Sequence, residues 1–101
     1  MSEKQKILDI AMNLNRIGNW AAEDYLAKKD RIKIFISNTT SYIESLDRSA
    51  YKKPFKTTLD NFLKQYALLK DEGLKGPKDP LHWAEDMMTW GNILTHRSKL
   101  L

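Results

Sequence analysis

The chain has 101 residues, of which 42% are hydrophobic and 30% charged, with 17 Lys or Arg against 13 Asp or Glu. That length holds one domain with one ordinary core, and that balance excludes a disordered polyelectrolyte. The absence of Cys removes disulfides, thiol nucleophiles and Cys-based metal sites, and it suits a reducing cytoplasm.

A net charge of +4 favours solubility and tolerates an anionic partner without demanding one. The basic opening leads into a segment whose apolar run is broken by Asp9, Asn13, Asn15 and Arg16, so no signal peptide is expected. No stretch approaches the roughly 20 apolar residues that a membrane span requires.

Ser2 followed by Gln5 reads as a capping box. Behind it Ile7, Ile10, Ala11, Leu14 and Ile17 recur at spacings of three and four, which predicts a helix over 3–17. Gly18 can close that helix and Asn19 can cap the next. Ala21, Tyr25, Ile32, Phe35, Ile36, Thr39, Tyr42, Ile43 and Leu46 then predict a second helix over 20–47. The same phase runs from Ile7 to Tyr25 straight through Gly18, so the alternative break lies near 28–30, with Asp30 as the cap.

Arg48 to Lys53 form a basic connection, and Pro54 suits a first helical position. Phe55, Leu59, Phe62, Leu63, Tyr66 and Leu69 predict a third helix over 54–72, closed by Gly73. After the loop 73–79, Asp79 as cap and Pro80 at the first position open a last helix over 80–98, whose face carries Trp83, Met87, Trp90, Gly91 and Leu94. Ile32 to Ile36 alternates briefly, but inside a longer helical pattern, so no strand is expected. Four helices with short links predict an all-α, antiparallel four-helix bundle, a single small domain over 1–101.

The sequence holds no phosphate loop, nucleophile elbow or dinucleotide fingerprint. No His follows a Glu at a spacing of three, as a di-iron bundle requires, and the ligand ladder of an EF-hand is missing. His82 and His96 stand 14 positions apart, about 21 Å along a helix, too far to share an ion. The acid pairs Glu23-Asp24 and Glu85-Asp86, each just after a Trp, are read as first-turn complements to the helix dipole rather than as acid/base dyads. The expectation is a protein that is not an enzyme and needs no cofactor and no metal.

Two features point to binding instead. Trp83, Met87, Trp90 and Gly91 share a helix face, and such a stripe is either core or a surface for a partner. Arg48, Lys52, Lys53 and Lys56, interleaved with Tyr51, gather positive charge at a helix start, where anions bind and where Tyr51 would stack on a base. The leading expectation is a cytoplasmic, protein-interaction module whose partner is another protein or a second copy as a homodimer. Nucleic acid or another polyanion is the runner-up, and a small ligand held between helices is the third reading.

Overall fold

The computed structural model describes residues 2–101, and among these every regular element is helical. Ser2 opens the first helix, α1 (Glu3–Glu44), its hydroxyl oxygen accepting from the Gln5 amide at 3.1 Å. The Gln5 side chain turns to Asp9, so only half of the expected capping box is made. A straight helix of α1's 42 residues would run about 63 Å, whereas the molecule is 39 Å along its longest axis. The helix therefore folds back, and the backbone says where: Asp24 alone leaves helical geometry, at φ −167° and ψ 92°. Its carboxylate accepts from the Ala27 amide at 3.1 Å, the bond that defines an N-cap.

The arms on either side of Asp24, 3–23 and 25–44, lie antiparallel. Trp20 stands edge-on to Phe35 with ring centroids 4.8 Å apart, and Lys6 Nζ donates to the Ser45 carbonyl at 3.0 Å. A short 3-10 turn, Arg48–Ala50, leads into α2 (Lys53–Lys75), and α3 (Pro80–Arg97) ends in a second 3-10 turn, Ser98–Leu100. Three helices thus stand where four separate ones were expected. The first break lies at Asp24, neither at Gly18 nor near 28–30.

Gly18 stays helical because its missing side chain is used elsewhere. A Cβ there would sit 2.4 Å from Met88 Cγ and 2.9 Å from the Ala84 carbonyl oxygen of α3. Gly91 repeats the arrangement from the other side, 2.9 Å from the Ala11 carbonyl oxygen. Ala11 faces Gly91 and Gly18 faces Ala84, so small residues two turns apart on both helices let the backbones close up. Among the separate helices, α1 and α3 accordingly share the most extensive close backbone approach.

The remaining helix, α2, packs instead through bulk: Phe55, Leu59, Phe62, Tyr66 and Leu69 are all buried. Three buried hydrogen bonds fix its register. Tyr66 donates to the Ile36 carbonyl at 3.0 Å, Tyr25 to the Gly73 carbonyl at 2.7 Å, and the Trp83 indole to the Leu69 carbonyl at 2.9 Å. Gly73 does not end α2, as its sequence position suggested. A Cβ there would lie 2.4 Å from Trp83 Cζ2, so the glycine accommodates the indole, and Gly76, at φ +96°, stops the helix. Asp79 caps α3 as expected, accepting from the His82 amide at 3.1 Å.

Candidate functional site

The basic turn is built on an acid. Glu3 accepts from the Asp47 amide at 2.8 Å and the Tyr51 hydroxyl at 2.7 Å, and its other oxygen meets Lys6 Nζ at 2.9 Å. These contacts, with the Lys6 bond the largest, lower its pKa to about 2. Burial first, and then the Glu3 carboxylate, push the Tyr51 hydroxyl up. Tyr51 is only 5% exposed and lies edge-on to Phe55, so it has no free face for a base. That expectation is corrected: the ring anchors the turn to α1. Arg48, Lys52, Lys53 and Lys56 are exposed, and the ion pairs among the described residues involve none of them.

This network carries a pH dependence. Because the folded state holds Glu3 ionised to about pH 2, its contribution is fully present above about pH 4.5 and is lost as pH falls through that window. Urea midpoints should drop on acidification in the native protein. In Glu3→Gln they should start lower at pH 6 and fall less between pH 4.5 and 2, and parallel curves would reject the assignment.

The aromatic stripe of α3 divides. Trp83, Met87 and Gly91 are buried against α1 and α2, so that face is core rather than free surface. Trp90 alone reaches solvent, half-buried and tilted against Phe62 at 5.7 Å. It belongs to an open groove of about 450 Å³ between α2 and α3. Thr58 and Asn61 line it from α2, and Trp90, Asn92, Ile93, His96 and Arg97 from α3. Trp90 and Ile93 supply apolar area, the two Asn side chains supply donors and acceptors, and His96 and Arg97 stand where α3 ends and cations are favoured.

Of these groove residues, the sequence singled out only Trp90 for a partner. Ile93 and Arg97 follow it at spacings of three and seven, which was a legible signal. Thr58 and Asn61 belong to another helix, and only the tertiary pairing of α2 with α3 brings them in. His82 sits outside the groove, 3.5 Å from Asp86, while Asp24 caps its arm rather than joining any carboxylate pair.

A second surface cluster was also missed. The Arg31 guanidinium lies 5.2 Å above the Trp20 ring, and that of Arg16 lies 6.0 Å from Phe35, across the antiparallel arms of α1. No protein-family model matches the chain, and neither does any curated protein or solved structure.

Proposed function

We propose that the protein is a non-catalytic, cytoplasmic interaction module that receives a segment of a partner protein in the Trp90 groove. We take the fold as a four-helix bundle in which the first two helices remain joined as the arms of α1. The single observation behind the proposal is the half-exposed Trp90 indole in an open groove whose other residues are mostly polar. An aromatic anchor with amide groups and a cation beside it is the arrangement that concentrates binding energy at protein interfaces. A partner would seat an apolar side chain on Trp90 and Ile93, bond its backbone to Asn61 and Asn92, and place an acceptor near Arg97.

A peptide library displayed against the folded protein tests this. Selected peptides should lose about 30-fold or more in affinity for Trp90→Ala, the loss of one hot spot, with helix content unchanged. Peptides that bind Trp90→Ala as well as the native protein would reject the groove.

Polyanion binding remains the second reading, supported by the four exposed cations Arg48, Lys52, Lys53 and Lys56 and without a role for Tyr51. A short single-stranded oligonucleotide should then bind with a log-log salt slope of about −2 to −3, and Lys52→Glu with Lys53→Glu should abolish binding. Fluorescence polarisation reads both; no binding at low salt, or binding indifferent to the double change, would reject it.

A further inference from the structure

The turn inside α1 has an unusual make-up. One residue, Asp24, departs from helical geometry, and no Gly or Pro lies within five positions of it. Its neighbours, Ala21, Ala22, Glu23, Leu26, Ala27 and Lys28, are mostly strong helix formers. The inward stripe does not break there either. Ile7, Ala11, Leu14, Gly18, Ala21, Tyr25, Ile32 and Thr39 are all buried, and their spacing keeps a seven-residue repeat through Asp24. Local propensity and hydrophobic pattern therefore both specify one continuous rod of about 63 Å, while the cap at Asp24 and the packing of the arms specify the hairpin.

We infer that Asp24 is a hinge at which α1 opens into that continuous helix, and that two opened copies exchange arms to form a domain-swapped dimer. Each arm 3–23 then docks on the partner's arm 25–44, α2 and α3. Every contact of the arm 3–23 with the rest of the bundle is remade between copies, including the close pairing of Ala11 with Gly91 and Gly18 with Ala84. Those among 25–44, α2 and α3 stay within one chain. Only the hinge differs, so the dimer loses one cap per chain and gains a stretch of helix. Leu26, two positions past the hinge, is 81% exposed in the hairpin. In the dimer the two hinges approach across the twofold axis, and Leu26 gains cover from the partner copy. This inference is independent of the Trp90 groove, which lies on α2 and α3 and is complete in either state.

Asp24→Ala removes the cap that holds the hairpin and raises helix propensity at the hinge. With two hinges per dimer, the dimerisation constant should rise by roughly a hundredfold. Light scattering coupled to size exclusion should find Asp24→Ala dimeric at concentrations where the native chain is monomeric. Adding Leu26→Gln should lower the dimer fraction without changing the monomer's helix content. Because the chain has no native Cys, spin labels at Lys4→Cys and Glu44→Cys report the hinge directly. Both lie at the open end of the hairpin, where Lys6 reaches the Ser45 carbonyl and Glu3 the Asp47 amide. Along one opened helix they would be about 60 Å apart. Labelled chains refolded with excess unlabelled native chain at high concentration should show the long distance in the dimer fraction. If Asp24→Ala fails to fold, that native refolding experiment decides alone. Short label distances in every dimer, or no dimer from concentrated refolding, would overturn the hinge.

Discussion

Replacing Trp83 by Ala should lower the free energy of unfolding by about 4 kcal/mol, a large share of what a domain of this size has. The residue is 1% exposed, stands edge-on to Tyr25 at 6.1 Å, and ties α3 to α2 through its bond to the Leu69 carbonyl. Removing it leaves a cavity where α1, α2 and α3 meet. The melting temperature should fall by about 20 °C. Trp83→Phe keeps most of the volume and loses the indole bond, so it should cost only about 1–2 kcal/mol. Gly73 supplies an internal control. A Cβ at that position meets the indole in the native protein, so Gly73→Ala alone should destabilise. In the Trp83→Ala background the same methyl enters vacated space, and its effect should change sign. Urea unfolding of the native protein, Trp83→Ala, Gly73→Ala and the double variant reads the cycle, and purely additive values would show that glycine and indole are not coupled.

The second large effect concerns the α1–α3 seam. In an exposed helix interior, Gly→Ala stabilises by about 1 kcal/mol. At Gly18 and Gly91 the new methyl would press on the backbone oxygens of Ala84 and Ala11, each 2.9 Å away, and neither can rotate aside. Each single change should therefore destabilise by about 1–2 kcal/mol net, the cost of overpacking less the gain in propensity. One outward shift of α3 relieves both clashes, so the double variant should cost less than the two singles together. Gly91→Val, which adds branched bulk, should cost about 3 kcal/mol or more. Stabilisation by either alanine would contradict the close approach.

The same glycines explain where the sequence misled. Gly18 and Gly73 carry the strongest local signal for a helix end, yet both serve as clearances, one for Met88 and α3 and one for Trp83. A packing glycine and a terminating glycine differ only in what lies across from them, which one chain read in isolation does not display. Asp24 is the converse. Its capping carboxylate is a real signal, but it sits among helix formers in an unbroken apolar phase, and only the folded-back arms make the turn worth taking. What local chemistry controls was legible. Ser2 caps α1, Asp79 caps α3, and Pro54 and Pro80 stand in first turns as expected.

Site residues followed the same division. The exposed cations at 48–56 were legible because charge alone keeps them in water. Tyr51 was not, because its hydroxyl partner, Glu3, lies 48 positions away. Trp83 and Trp90 share a helix face in sequence, yet Phe62 and the groove leave the second half in solvent while the first is enclosed.

The three Trp residues stand in three different settings, and this makes the interaction proposal directly measurable. Trp90 lies in the groove, Trp83 is bonded in the core, and Trp20 packs on Phe35 between the arms of α1 with Arg31 over its ring. A nitrogen-proton correlation spectrum resolves one indole resonance for each. On titration with a selected partner peptide, the Trp90 indole and the side-chain amides of Asn61 and Asn92 should shift together, while those of Trp83 and Trp20 stay in place. Movement of the Trp20 indole or of the amides at 48–56, with Trp90 unmoved, would contradict the assignment of the groove.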